Sequence, residues 1–366
     1  MRNKQYHKII LFKDKVEPMK NSMELAKKFL ENIRSDDKVA LIYHTDMDGV
    51  CSAALVYNIF KKINKKYDKN ISIYKSFSGS YDNIENILKE TKDYDITIIV
   101  DIAFDGEVEP DRKILLIDHH LVKKDMNSKN LVFINPRKEN PEIYQPASYL
   151  VLKLSQIIAD SKDVEYISAL GTAGDMGFKD CMDLMGTWTN AKKAEEIFHT
   201  KIGQVSHKLW GASYELGIER ILDIILETKN LEELEKNEDV KKSFRIFNKE
   251  FEKGKEQFWN NSETFGNVIF SKIKPHYKRL GSPIINSISF EKPEKIIFLL
   301  EDREDVYKIS VRYQNVRNHE NLHLGILMKE CCNGGGHRPA AGGSIKKEGY
   351  EVFKKRILTY LKKFSF

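Results

Sequence analysis

The stretch VALIYHTDMDGV, residues 39–50, decides how the first half of the sequence folds. Its first five residues, Val39 to Tyr43, are apolar and mostly of the types that favour strands, so they predict a buried β-strand. The next six, HTDMDG at 44–49, place a histidine and two acids at the end of that strand. A helical pattern from Val50 to Ile63 follows directly. A strand, a polar turn and a helix in this order predict the first unit of an α/β fold.

The same alternation of strand and helix continues to about residue 177. The apolar runs are short and are separated by helical stretches, which is typical of βαβ units on a parallel sheet. We therefore predict a mostly parallel sheet with helices on both faces. The further candidate strands are Ile71 to Phe77, Ile96 to Val100, Ile114 to Ile117 and Leu131 to Ile134, and the further helices are Asn83 to Thr91 and Ala147 to Ala159.

Two of the later strands also end in acids or histidines. The strand at 96–100 runs into Asp101, and the strand at 114–117 runs into DHH at 118–120. The carboxyl ends of parallel strands lie along one edge of a sheet, where such folds bind ligands, so these groups are expected to converge. An aspartate after a strand often only caps the next helix, but capping does not explain an adjacent pair of histidines.

Clustered carboxylates repel one another unless a positive charge lies among them. Aspartates and neutral imidazoles without thiolates suit Mn²⁺ or Mg²⁺, and the histidines favour Mn²⁺. Five or more candidate ligands exceed what one ion needs, which indicates two ions roughly 3.5–4 Å apart that share a bridging carboxylate. Because this arrangement serves in-line attack on phosphorus, the sequence predicts a two-metal phosphoryl-transfer site.

The composition excludes several classes of protein. The chain has 366 residues, of which 41% are hydrophobic and 31% charged, which excludes wholesale disorder and predicts two or three domains. Its 60 Lys and Arg against 54 Asp and Glu leave a charge of +6, a weak indication of a polyanionic partner. The four cysteines form no CxxC pair, and no apolar run is long enough to span a membrane. We expect a cytoplasmic protein with no membrane segment and no disulfides.

The second half begins with a highly charged helical region. One apolar stripe runs along a predicted helix there, and its members are Val240, Phe244, Phe247, Phe251 and Phe258. The stripe covers fewer than about three heptads, so a connecting helix packed on its own domain is favoured. A homodimer through this helical insert is the alternative interpretation.

Strand-like runs return after Glu263 and predict a smaller mixed-sheet α/β domain. A glycine-rich segment, residues 333–344, and an amphipathic C-terminal helix complete it. The candidate strands are Asn267 to Ile273, Ile284 to Phe290, Lys295 to Leu300 and Val306 to Tyr313, and the candidate helix before the glycines is Leu322 to Glu330.

Several of these segments resemble, in order, the motifs of a known family. HTDMDG at 44–49, Asp101, DHH at 118–120 and GTAGD at 171–175 resemble the four motifs of the DHH phosphoesterase family. Each motif alone is short, but together they occur in the right order and each follows the right type of element. The resemblance implies hydrolysis of phosphate esters.

The C-terminal part resembles the domain that accompanies these motifs. NGGGHRPAAGG at 333–343 resembles the glycine-rich loop of the DHH-associated C-terminal domain, and KISVR at 308–312 is similar to its substrate-facing strand. The resemblance implies a DHH catalytic domain at 1–180 with an N-terminal helical segment, a helical connector at 181–262, and a substrate-binding domain at 263–366.

The resemblance also implies a role for each residue of the metal site. The implied ligands are His44 and Asp46 for one ion, Asp48, His119 and Asp175 for the other, and Asp101 as the bridge between both. Asp175 is the least definite of these ligands, because a second acid, Asp180, lies close to it in sequence. Asp118 is expected to orient His119, and His120 to face the scissile phosphate. The implied cofactor is two Mn²⁺ ions, with Mg²⁺ as the alternative.

In the C-terminal domain the resemblance implies a phosphate-binding site. Backbone amides of a glycine run can approach an anion closely, and arginines can grip it through charge-assisted hydrogen bonds. The implied residues are Ser310, Arg312, Gly334, Gly335, Gly336, His337 and Arg338.

Three functions are compatible with this resemblance. The first is a Mn²⁺-dependent exonuclease that digests single-stranded DNA or RNA to 5′-mononucleotides in DNA repair or replication. The long helical insert favours it, because archaeal RecJ-like and repair-helicase-associated nucleases have such inserts. The second is a phosphodiesterase for nano-RNA or cyclic dinucleotides, whose compact members have only a brief linker. The third is a replisome scaffold that binds GINS; the complete set of implied ligands favours an active hydrolase over it.

Overall fold

The computed structural model describes residues 17–79, 84–104, 110–122, 124–277, 280–318, 321–332 and 334–364. The chain divides into two compact units, of which the first ends at Phe244 and the second begins at Arg245. Within the described ranges, no helix combines the length and apolar character that a membrane crossing requires.

The first unit is built on a five-stranded sheet in which every neighbouring pair of strands is parallel. The strands follow one another in the order β2-β1-β3-β4-β5. They are β1 (Val39–Tyr43), β2 (Ile73–Ser78), β3 (Ile96–Val100), β4 (Lys113–Ile117) and β5 (Leu131–Ile134). The helices around the sheet are α1 (Glu17–Glu31), α2 (Met47–Tyr67), α3 (Ile84–Glu90), α4 (Ala147–Ile158) and α5 (Glu165–Gly174).

Alternate residues of the central strands enter two different cores. In β3, Ile98 and Val100 join the core that contains α2, α4 and α5, whereas Ile99 joins a smaller core on the other face with Ile87 of α3. Successive side chains of a strand point to opposite faces, so a continuous apolar run is needed where both faces are covered. This confirms the predicted α/β class with helices on both faces.

The helices that follow α5 differ from the separate connector expected at 181–262. Leu209, Ile221 and Leu234 are buried in the same core as the sheet of the first unit. The expected apolar stripe lies on one helix, in which Phe247 and Phe258 are fully buried. The helices of this region are α6 (Met182–Trp188), α7 (Lys201–Leu216), α8 (Ile218–Glu227), α9 (Leu231–Lys236) and α10 (Glu238–Asn260).

The second unit contains a six-stranded mixed sheet in the order β10-β11-β9-β8-β7-β6. Its pair β7/β8 is parallel and its other pairs are antiparallel. The strands are β6 (Glu263–Phe265), β7 (Val268–Ile273), β8 (Ile296–Asp302), β9 (Val306–Arg312), β10 (Gly335–Gly336) and β11 (Ala340–Lys346). The helices are α11 (Gly281–Glu291), α12 (Leu324–Cys331) and α13 (Tyr350–Leu361).

One predicted strand, Ile284 to Phe290, is wrong because this segment lies in the helix α11. Ile284, Ile285 and Ile288 are fully buried, and their spacing of one and four residues places them on one side of a helix. A short apolar run does not by itself distinguish a buried strand from a buried helix, and the β-branched isoleucines favoured the wrong choice.

Candidate functional site

Three strands of the first unit end at one group of acids and histidines. His44 follows β1, Asp101 follows β3, and residues 118–120 follow β4. Asp175, which terminates α5, reaches the same place. Three overlapping sets have all their ligand atoms within 4.8 Å of one another: His44, Asp46 and Asp101; Asp48, His119 and Asp175; and Asp101, Asp118, His119 and His120.

The first set is held by the start of α2. Nδ1 of His44 lies 2.7 Å from Oδ2 of Asp46 and 3.6 Å from Oδ2 of Asp101. The other oxygen of Asp46 accepts a hydrogen bond from the Gly49 amide at 3.0 Å and thereby caps the helix. A Cβ atom on Gly49 would lie 2.3 Å from the His44 carbonyl oxygen, so this tight turn requires glycine.

The second set is arranged around His119. Its Nε2 atom lies 3.2 Å from Oδ1 of Asp101, 3.4 Å from Oδ2 of Asp175 and 4.0 Å from Oδ2 of Asp48. Asp101 therefore directs one oxygen toward His119 and the other toward His44. This is the position that a bridging carboxylate requires.

Asp101 has an unusual backbone. Its φ is 59°, in the left-handed region that residues with a side chain rarely adopt, and it is 2% exposed. Such a conformation costs about 1–3 kcal/mol and is found mainly where function requires it. Oδ2 of Asp101 has no hydrogen-bond partner among the described residues. A buried carboxylate oxygen without a donor, facing other ligand atoms, fits a metal ion.

The electrostatics of the acids also fit a cation. Burial raises the pKa of Asp48 to about 7, and the charge of Asp175 adds to the shift. Burial, together with the charges of Asp46 and Asp48, raises the pKa of Asp101 well above its usual value. Burial likewise raises the pKa of Asp175. These acids are thus hard to ionise together, and a divalent ion among them would replace the protons. Oxygen and imidazole donors without thiolates suit Mn²⁺ or Mg²⁺.

Asp118 does not orient His119, which corrects the expectation drawn from the resemblance. Its Oδ1 atom lies 2.7 Å from Nδ1 of His120, and Oδ2 accepts a hydrogen bond from the His120 amide. Asn135 supports the pair by donating to the His120 carbonyl oxygen at 2.9 Å. Nδ1 of His119 has no partner among the residues described. Asp118 therefore fixes the half-exposed His120 ring, whose Nε2 atom remains for a ligand.

Asp48 is held by a segment that the sequence did not indicate. Its two oxygens accept hydrogen bonds from the amides of Ala147 at 2.6 Å and Ser148 at 2.9 Å, and from the Ser148 hydroxyl. These amides begin α4, so the carboxylate lies at the positive end of that helix. The signal in the sequence is Pro146 before an apolar helix, but it does not identify the acid that the helix binds.

Tyr144 is a second group that the sequence did not indicate. Its hydroxyl donates to Oδ2 of Asp175 at 2.6 Å, the same oxygen that faces His119. Asp180, the neighbouring acid in sequence, accepts from the Tyr144 amide at 2.9 Å instead of joining the cluster. Asp180 thus positions Tyr144, and Tyr144 positions Asp175.

The second unit contains a cavity of about 760 Å³ beside β9 and the glycine-rich hairpin of β10 and β11. Arg312 is oriented by a hydrogen bond from its Nε to the Asn286 side chain at 2.8 Å. Gly336 has a φ of 137°, and a Cβ there would lie 2.6 Å from Cα of Ala341, so only glycine fits. Of the predicted substrate-binding residues, those that line the cavity are Ser310, Arg312, Gly335, Gly336 and His337.

Arg338 and Gly334 are not among the residues that line this cavity. The Arg338 guanidinium donates to the carbonyl oxygens of Leu322 at 3.1 Å and Val316 at 3.5 Å. It therefore holds the chain that leads into α12, and its role as a phosphate ligand stays a prediction. Gly334 allows close packing instead, because a Cβ there would lie 2.3 Å from the Gly342 carbonyl oxygen. The predicted Asn333 lies outside the described residues.

Comparison with sequence families agrees with this division into two sites. The family described as "DHH family, N-terminal domain" matches residues 38–173, and the DHHA1 domain matches residues 266–363. The first match contains the two sets of ligands except Asp175, and the second contains the cavity. No curated protein sequence is similar enough to the chain to count as a match.

Solved structures show the same fold at low sequence identity. RecJ from Thermus thermophilus in complex with Mn²⁺ is 15% identical, with a TM-score of 0.69, over 94% of this chain. The chain spans 55% of the length of that protein. A second structure of exonuclease RecJ, bound to manganese, is also 15% identical, with a TM-score of 0.68, and the match covers 94% of this chain and 95% of RecJ.

The fold also occurs in a phosphodiesterase for a short substrate. The pGpG-specific phosphodiesterase PggH from Vibrio cholerae is 17% identical, with a TM-score of 0.55, over 90% of this chain and 100% of its own. The motifs, the family matches and this fold lead to one assignment: the chain belongs to the DHH family of metal-dependent phosphoesterases and carries a DHHA1 domain.

Proposed function

We propose that this protein is a Mn²⁺-dependent exonuclease that hydrolyses single-stranded DNA or RNA to 5′-mononucleotides. The observation that carries the proposal is the placement of Asp101, whose two oxygens face His44 and His119 in two separate sets of ligands. A cytoplasmic role in DNA repair or replication, and a helicase or GINS-type partner, belong to the same proposal.

The chain contributes ligands and orientation to this reaction. Two divalent ions held by His44, Asp46 and Asp101 and by Asp48, His119 and Asp175 would supply a water nucleophile and neutralise charge on the phosphoryl oxygens. Tyr144 and the start of α4 keep the carboxylates of the second set in place before substrate arrives. Such preorganisation matters because ligands that must reorient reduce metal affinity.

His120 is proposed to contact the scissile phosphate. Its Nδ1 atom is held by Asp118, and its side chain is 46% exposed, whereas that of His119 is 4% exposed. When both ring nitrogens carry a proton, Nδ1–H donates to Asp118 and Nε2–H can donate to a phosphoryl oxygen. Arg312 and Ser310 in the cavity of the second unit are proposed to bind substrate phosphate, and Arg suits a forked contact.

The test is digestion of single-stranded 30-mers of DNA and RNA, labelled at the 5′ or the 3′ end, with Mn²⁺ or Mg²⁺. We expect mononucleotide products with Mn²⁺ from at least one strand type, and none with the Asp101→Asn variant. Intact 30-mers together with hydrolysis of pGpG would contradict the proposal and favour a phosphodiesterase for short substrates. Inactivity on both, with stable binding of replication proteins, would favour the scaffold function.

A further inference from the structure

The cavity of the second unit has a cationic end, formed by Arg303 and Lys308, and neither residue is among the predicted substrate-binding residues. Lys308, Ser310 and Arg312 alternate along β9 with the buried Ile309 and Val311, so the three polar side chains share one face. Arg312 lies four positions after Lys308, which corresponds to about 13 Å along a strand. Both cations line the cavity, one toward each end of this face.

The floor between these two cations is open because the neighbouring strand carries small residues. In the pairing of β9 with β11, Arg312 lies opposite Ala340, Ser310 opposite Gly342 and Lys308 opposite Ser344. Cross-strand partners share a face of the sheet, so no large side chain of β11 covers the row. The floor is therefore open toward β11, whereas on its other side β8 places Ile297, Leu299 and Glu301 opposite the same three residues.

Arg303 adds a second cation at the Lys308 end. It follows β8, lines the same cavity, and its side chain is 27% exposed. Its guanidinium donates to Oε2 of Glu301, a residue that is 2% exposed. A buried carboxylate is stable only when it is paired with a positive charge. Because Glu301 holds one edge of the Arg303 guanidinium, the direction of the remaining N–H groups is fixed.

Glu301 is itself held in place by α11. A Cβ on Gly281, the first residue of that helix, would lie 2.3 Å from Oε1 of Glu301, so the carboxylate packs directly against the start of the helix. The positive end of a helix favours a carboxylate there. Glu301 thus acts as a positioning residue that presents Arg303 to the cavity.

We propose that Arg303 and Lys308 form a second phosphate subsite, about 13 Å from Arg312, which binds the backbone of a nucleic-acid strand several nucleotides long. Phosphates of a stacked strand follow one another by about 3.4 Å along its axis, so this floor spans at most about four nucleotides. A dinucleotide is too short to engage both ends fully. The inference rests on the proposed function and specifies strand length as what this site selects.

The test compares hydrolysis of single-stranded oligomers of two and twenty nucleotides by the full-length protein with Mn²⁺. We expect Arg303→Gln and Lys308→Gln each to raise KM for the 20-mer by about tenfold. This fold-change should be several times larger than the fold-change in KM for the dinucleotide. Arg356→Gln is the matched control, because Arg356 is exposed on α13 and does not line the cavity. Equal effects on both lengths, or no effect of either variant, would overturn the inference.

Two further measurements distinguish loss of the subsite from loss of folding and from loss of catalysis. Arg303→Gln leaves Glu301 buried without its cation, so unfolding is recorded for each variant; if Arg303→Gln does not fold, the exposed Lys308→Gln decides the outcome. Binding of the same labelled oligomers is measured with Ca²⁺, under conditions in which no product forms. If the wild type hydrolyses neither oligomer, the exonuclease proposal is refuted but the subsite proposal is not. Tenfold weaker binding of the 20-mer by the variants would then still support the subsite. A wild type that binds no 20-mer refutes the subsite.

Discussion

At the scale of single residues, the charge of Asp101 is predicted to decide metal binding. The variant Asp101→Asn keeps the shape of the side chain but removes the charge that faces both sets of ligands. Loss of several kcal/mol of charge stabilisation corresponds to about a 1000-fold fall in turnover or more. Since the buried acids then repel one another less, we expect the metal-free variant to unfold at a higher temperature than the metal-free wild type.

Calorimetric titration with Mn²⁺ and thermal unfolding in EDTA measure these two effects separately. Asp183→Asn is the control, because Asp183 is half-exposed and is paired with Lys153 and Tyr149 outside the site. Wild-type Mn²⁺ affinity in Asp101→Asn would remove the basis for a bridging role.

Tyr144 offers a milder test at the same scale. Tyr144→Phe removes the hydroxyl that donates to Asp175 and leaves the ring in place against His119, at a centroid distance of 5.3 Å. Loss of a group that orients a ligand typically weakens metal affinity 10- to 100-fold, so we expect about a tenfold rise in the Mn²⁺ concentration for half-maximal activity. Turnover at saturating Mn²⁺ should remain within a few-fold of wild type.

Tyr149→Phe makes the same chemical change away from the site. Tyr149 donates to Oδ1 of Asp183 at 2.8 Å. Direct titration of Mn²⁺ into both variants, without substrate, provides a measurement that does not depend on activity. Identical Mn²⁺ affinities for the two variants would show that Tyr144 supports the fold and not the metal ligand.

At the scale of elements, the turn from β1 into α2 is predicted to be intolerant of any side chain at Gly49. In Gly49→Ala the new Cβ would meet the His44 carbonyl oxygen at 2.3 Å, so the start of α2 must move and Asp46 loses its capping geometry. We expect a loss of about 1–3 kcal/mol in the free energy of unfolding, together with weaker metal binding.

Gly186→Ala is a control for which we expect the opposite change, a higher free energy of unfolding. Gly186 lies within α6, and a Cβ there would approach only the Met182 side chain, at 3.9 Å. Replacing an unstrained helical glycine by alanine stabilises a helix by roughly 0.5–1 kcal/mol. Chemical denaturation measures the free energy of unfolding of both variants. If Gly49→Ala is as stable as Gly186→Ala, the turn at Gly49 relaxes without cost.

Individual elements show which parts of the structure could be predicted from the sequence and which could not. The ends of β1 and β3 were predicted at Tyr43 and Val100, because an apolar run gives way abruptly to polar residues there. The partner of Asp48 could not be predicted, because the start of α4 lies about a hundred residues further along the chain. No strand was predicted in the glycine-rich segment, but part of it forms the strand β11, since its small residues fit beside β9.

At the scale of the whole molecule, metal is predicted to stabilise one unit and not the other. Every implied ligand belongs to the first unit, and the core of the second unit consists of residues from Val268 onward. A ligand that binds only the folded state adds about 2.7 kcal/mol at a concentration of 100 times its Kd. In scanning calorimetry we expect Mn²⁺ to raise the transition of the first unit and to leave that of the second unchanged.

Asp101→Asn provides the control for this experiment, because its transitions should not respond to Mn²⁺. Equal shifts of both transitions in the wild type would mean that the units unfold together, or that Mn²⁺ also binds the second unit. EDTA should return the wild type to its original profile if the binding is reversible.

The left-handed backbone at position 101 also restricts how the sequence can change over evolutionary time. Glycine, asparagine and aspartate adopt this conformation most readily, whereas a bridging ligand must carry a carboxylate. Glutamate meets the chemical demand but not the conformational one, and asparagine meets the conformational demand but not the chemical one. Only aspartate meets both. A relative that has abandoned catalysis but kept this fold is therefore expected to reveal it through asparagine or glycine at this one position.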